Sequence, residues 1–79
     1  MPVVLATRAS YHFYSNEGEP REPVHIHVRG SGRKAKFWFR PRARLASNAG
    51  FNLRELRELI AVIESNRARI EEAWHAYFV

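Results

Sequence analysis

A chain of 79 residues with no cysteine and a net charge of +5 has room for one domain and one core, and neither a disulfide nor a thiolate zinc site is open to it. A domain of this size buries only about 60% of the surface that its unfolded chain exposes, so it is marginal alone and is often completed by a partner chain. No run reaches the ~18 to 20 apolar residues of a membrane span, and the opening Met-Pro-Val-Val-Leu-Ala-Thr-Arg has no basic region before it and is too brief for a signal peptide, so the expected setting is cytoplasmic.

All eight Pro and Gly residues fall between Pro2 and Gly50, which predicts strands and turns in residues 1–40 and helix in 51–79 of a single domain spanning 1–79. Val3 to Ala6 and Ser10 to Ser15 read as two strands joined by a tight turn near Arg8, and Asn16 to Glu22 as a polar loop. Val24 to Arg29 and Lys34 to Arg40 alternate strictly, and Gly30-Ser31-Gly32 between them supplies the positive φ of a hairpin turn. A two-residue loop at Ser31-Gly32 places His27 opposite Lys36, Ile26 opposite Phe37 and His25 opposite Trp38. One face is then wholly apolar (Val24, Ile26, Val28, Ala35, Phe37, Phe39). The other carries His25, His27, Arg29, Lys34, Lys36, Trp38 and Arg40. A slip of one residue would pair apolar with charged positions, so this parity is strongly preferred. Arg29 opposite Lys34 is mildly unfavourable, and a bound anion would relieve it.

The charge is concentrated here. Residues 1–50 hold nine Lys/Arg against three Glu, and residues 51–79 hold four Arg against five Glu. Seven basic side chains and no acidic one fall within 29–44, a block that suits a polyanion or an acidic protein or serves only as a solvated surface.

Residues 41–50 read as a connection ending in Asn48-Ala49-Gly50. A helix follows, with Asn52 as N-cap, Glu55 completing a capping box, and Phe51 with Leu56 as a hydrophobic staple. Leu56, Ile60, Ile63, Ile70, Trp74 and Tyr77 recur at helical spacing, in one long helix or two broken near Ser65-Asn66, laid across the apolar face. Arg67 falls in phase with Ile63 and Ile70. Either its stem is buried with the head reaching out, or it meets a carboxylate or an anion, with Glu17 a candidate mate. Trp74, Tyr77 and Phe78 are expected to close the core, and Phe78 or Val79, if off the stripe, to meet a partner or a second copy.

Three chemistries fit the polar face. His25 and His27 stand roughly 6 to 7 Å apart on one strand and could share a metal. A site needs three or four ligands, however, and no spacing rule brings His12 or Glu17 to them, so neither metal nor other cofactor is expected. Metal-free RNA cleavage needs a base, an acid and cations. His25 and His27 would serve as acid and base with Lys36, while Arg29, Arg33, Lys34 and Arg40 hold phosphates and Trp38 stacks a base. The third alternative is a cross-strand ladder packed beneath another element, with His25 simply stacked on Trp38.

Tyr14-Ser15-Asn16-Glu17, Pro23-Val24-His25-Ile26-His27-Val28 and Ala35-Lys36-Phe37-Trp38 resemble a family of small bacterial proteins known as domain of unknown function 4160. Asn48-Ala49-Gly50-Phe51, Glu55-Leu56, Asn66-Arg67, Ala73-Trp74 and Tyr77-Phe78 extend the likeness nearly end to end, and the loop at Gly18 to Glu22 is a little longer than the family pattern. The resemblance implies a toxin-like member of a two-gene type II toxin–antitoxin pair, whose cognate antitoxin-like partner is another small protein.

The expected architecture is α+β: a three- or four-stranded antiparallel sheet with one or two C-terminal helices packed on one face. The expected function is a toxin-like activity on RNA or translation. The alternative is a non-catalytic module that binds nucleic acid or protein, including the antitoxin-side partner itself.

Overall fold

In a computed structural model that describes residues 3–6, 9–13 and 23–77, five strands form one antiparallel sheet in chain order. They are β1 Val3–Ala6, β2 Ser10–His12, β3 His25–Gly30, β4 Arg33–Trp38 and β5 Arg44–Ala49. Two helices follow, α1 Leu53–Ser65 and α2 Arg67–Tyr77. The turn at Arg8, the loop from Asn16 to Glu22, and Phe78 and Val79 lie outside the described residues.

The β3–β4 hairpin has the expected register at every pair, with His25 opposite Trp38, His27 opposite Lys36 and Arg29 opposite Lys34. Ser31 and Gly32 both take positive φ, 51° and 76°, the combination whose twist matches that of the flanking strands. The pleat then sorts the side chains. Ile26, Val28, Phe37 and Phe39 are fully enclosed and join Tyr11, Phe13, Leu59, Ile63, Ile70 and Trp74 in one core. Enclosing each such aliphatic or aromatic side chain contributes about 1.5–3 kcal/mol, and the helices supply the cover.

The α+β class and the helices on one face stand as expected. The segment 41–50 does not remain a connection, because its Arg44–Ala49 stretch pairs with β4 as the fifth strand. Its sequence, Arg-Leu-Ala-Ser-Asn-Ala, lacks the β-branched and aromatic residues that mark strands, and the register shifts opposite Lys36 and Phe37. Pairing to β4 overrides weak local preference.

Gly50 ends β5 at φ 105°, where a Cβ would also stand 2.6 Å from Arg33 Cγ. Helix α1 then opens with its capping box: Glu55 N–H donates to Asn52 Oδ1 at 2.8 Å, and Asn52 N–H donates to Glu55 Oε1 at 2.9 Å. Asn66 divides the helical half where expected. Its N–H donates to the Ile63 carbonyl at 3.1 Å, and its side-chain amide to the Val62 carbonyl at 2.8 Å. The buried stripe is Leu59, Ile63, Ile70 and Trp74. Tyr77, expected in the core, is the last residue of α2 and is 40% exposed.

Candidate functional site

The parity that buries Ile26 and Phe37 sends the alternate side chains to the other face, and the registers align them across strands. One row is Ser10, Arg29, Lys34 and Ala49; the next is His12, His27, Lys36 and Ser47. A third holds His25, Trp38 and Arg44. Successive rows lie roughly 7 Å apart along each strand. The first two rows line a groove of about 300 Å³ whose walls include His12, His27, Arg29, Lys34, Lys36 and Ser47. Among the described residues every carboxylate side chain sits on a helix, so the groove wall carries cations, imidazoles, a hydroxyl and an amide beside Val28, Ala35 and Ala49, and no carboxylate.

Within the groove the imidazoles of His12 and His27 stack, with ring centroids 5.9 Å apart and planes inclined by 18°. Lys36 Nζ lies 4.5 Å above the Trp38 ring centroid, an arrangement favoured by the ring quadrupole. Arg29 and Lys34 are exposed at the open end.

His25 is placed differently from its neighbour His27. Its side chain is fully buried, edge-on to Trp74 at 5.1 Å, to Trp38 at 5.7 Å and to His27 at 5.4 Å. Its Nδ1 lies 2.9 Å from the Pro23 carbonyl oxygen. A carbonyl only accepts, so Nδ1 carries the hydrogen and donates it. His25 is the first residue of β3. At that strand end Trp74 of α2 lies against it as well as against Phe13, although the helices otherwise cover the opposite face. This matches the ladder alternative, and the groove does not include the ring.

Two of the basic residues assigned to anions turn toward the helices. Arg33 pairs with Glu55 and lies 5.3 Å over the Phe51 ring. Arg40 pairs with Glu71, while its carbonyl accepts from Arg44 Nη2 at 2.9 Å. Arg67 takes the carboxylate alternative, with Glu64 as the mate. Its guanidinium covers the Phe39 ring at 4.1 Å and donates to Glu64 at 3.0 Å, and Glu64 also accepts from the Ala43 N–H at 2.6 Å. Glu17 lies outside the described residues.

The groove also contains Ser47, and His12 in a place the sequence did not assign. The Ser10/His12 against Tyr11/Phe13 alternation marks His12 as a polar-face residue, but only the register of β2 on β3 brings it to His27. Ser47 was hidden with the strand that carries it. Three histidines adjoin one another here, yet among the described residues no group of three or more His, Cys, Asp or Glu side chains is arranged to hold a metal ion.

The fold and groove define a small α+β protein with a basic, histidine-bearing sheet face. Residues 10–75 match the family model described as Domain of unknown function (DUF4160), and the chain belongs to that family. Neither a search of curated proteins nor one of solved structures returns a match. No helix among the described residues is long and apolar enough to cross a membrane.

Proposed function

We propose that this protein is the toxin-like member of a bacterial toxin–antitoxin pair, that it works in the cytoplasm, and that it acts on RNA through the groove on the polar face. The observation that carries the RNA reading is the convergence of His12, His27, Arg29, Lys34, Lys36 and Ser47 on one concavity. Cations in successive rows suit a chain of phosphates better than a single anion, because the roughly 7 Å between rows is comparable to the separation of successive phosphates in a stretched strand, and each phosphate neutralised adds to affinity. Arg29 and Lys34 take phosphates at the open end, Lys36 takes one in the middle, and the exposed part of Trp38 receives a base. The toxin-like role is supported by the resemblance of the chain to its family.

Cleavage at this site would use His27 as base and His12, which lines the groove as His25 does not, as acid. His27 takes the 2′-hydroxyl proton and the freed oxygen bonds to the adjacent phosphorus. The 5′-oxygen leaves with a proton from His12, giving a 2′,3′-cyclic phosphate and a 5′-hydroxyl, while Lys36 offsets the charge on the phosphorane. Binding without cleavage is the second reading, favoured by the burial of His12, which is only 1% exposed.

Induced expression of wild type, His27→Ala and Lys36→Ala tests the toxin role. Growth arrest with wild type that both substitutions relieve supports it, and equal, normal growth in all three cultures overturns it. Incubation with a single-stranded RNA separates the two readings, since cyclic-phosphate ends appear only if the groove cleaves. A salt titration of RNA binding tests the binding of phosphates, and affinity that does not fall with salt overturns it.

A further inference from the structure

We propose that the outer edge of β5 is the docking site for an extended, acidic segment of a partner protein, which adds to the sheet as a sixth strand. β5 stands last in the strand order and pairs with β4; among the described residues no strand lies beyond it. The outward N–H and C=O groups of such an edge are open to another backbone. All six β5 residues are exposed, whereas β3 and β4 mix buried and open positions. Leu45, 44% exposed, offers an apolar side chain against which a side chain of an added strand can pack.

Charge decides the occupant. No Asp or Glu occurs from Pro23 to Arg54. Exposed Arg42 and Arg44 mark one end of the edge, and exposed Lys34, opposite Ala49, marks the other. A second copy would bring the same positive ends to the same edge, on a chain of net charge +5, so self-pairing is opposed. A segment with carboxylates spaced along it is matched instead. Ala46 is the residue skipped in the pairing with β4, a bulge that leaves Ser47–Ala49 as the regular part of the edge. Those three residues also wall the groove, so a strand seated there narrows its mouth and competes with RNA. This competition rests on the RNA reading above; the docking does not.

The test follows backbone amide exchange by NMR in the full chain, with a synthetic extended peptide of alternating glutamate and valine as probe. At low salt the peptide slows exchange of the β5 amides about tenfold or more, saturably, and the same peptide with lysine in place of glutamate does not. Arg42→Glu combined with Arg44→Glu weakens the glutamate peptide about tenfold and admits the lysine peptide. Shifts confined to groove residues without β5 protection overturn the proposal. So does β5 protection that rises with protein concentration alone, which makes a second copy the occupant, or equal β5 protection by single-stranded RNA, which makes the edge a general polyanion surface. If the peptide protects β5 but leaves RNA binding unchanged, the docking stands and the competition is overturned.

Discussion

The two faces of the sheet differ by one residue of parity and by nearly everything else. Toward the helices, Ile26, Val28, Phe37 and Phe39 have no exposed surface, and each is held by several partners. On the opposite face Arg29 and Lys34 stand exposed and opposite each other, beside His27 and Lys36 at partial burial. One face is arranged to lower the free energy of the fold. The other keeps like charges adjacent at some cost, as binding surfaces commonly do. The contrast predicts that stability and ligand affinity respond to separate sets of residues.

The largest effect should come from the helix-side face. Phe37→Ala removes a fully buried ring and should cost about 3–5 kcal/mol, a large fraction of what a domain of this size has to lose. The graded change Ile63→Val should cost about 0.5–1.5 kcal/mol and keeps the experiment readable if Phe37→Ala does not fold. Urea denaturation of both checks the claim. Near-normal midpoints would mean that the helices do not seal this face.

On the polar face the sign should reverse. Lys34→Ala removes one of two facing cations, so its unfolding free energy should stay equal to wild type or rise by up to about 0.5 kcal/mol. RNA affinity should fall, and the slope of log K against log salt should flatten by about one unit for each phosphate that is no longer neutralised. A Lys34→Ala protein that is clearly destabilised and binds RNA as well as wild type would break the comparison, because Lys34 would then be holding the fold.

Parity was legible in the sequence because alternation in Val24 to Arg29 and Lys34 to Arg40 and a two-residue turn together fix a register. The capping box at Asn52 and Glu55 and the break at Asn66 were legible for a similar reason: each is local chemistry completed within a few residues. What the sequence did not yield was long-range. β5 has no strand-forming composition, so Ser47 could not be placed. His12 reaches His27 across a connection that sets no register. His25 looked equivalent to His27 because alternation reports a face and not what covers it, and Trp74 arrives from a helix some fifty residues away. Arg33 and Arg40 were assigned to the polar partners that basic residues usually seek, while Glu55 and Glu71 on the helices were closer.

The smallest expected effect lies where the two regions meet, at the Arg33–Glu55 pair between β4 and the start of α1. The Glu55 carboxyl is held below its ordinary value of 4.5 chiefly by the Asn52 backbone N–H, with the Arg33 guanidinium adding to the effect and partial desolvation opposing it. A carboxyl with a depressed folded-state pKa binds its proton more readily in the unfolded chain. Its contribution is therefore fully present above the unfolded value and is lost as pH falls through the folded one. Glu55→Gln keeps a side-chain acceptor for the capping box while removing the charge, which isolates this linkage from the cap itself. Wild type should exceed Glu55→Gln in stability near neutral pH, and the gap should close on the acid side of 4.5. Urea titrations of both proteins across that range provide the check. A gap that stays constant with pH would assign the role of Glu55 to hydrogen-bond geometry alone. The cations of Arg33 and of the polar face would then differ in placement but not in their electrostatic bearing on the fold.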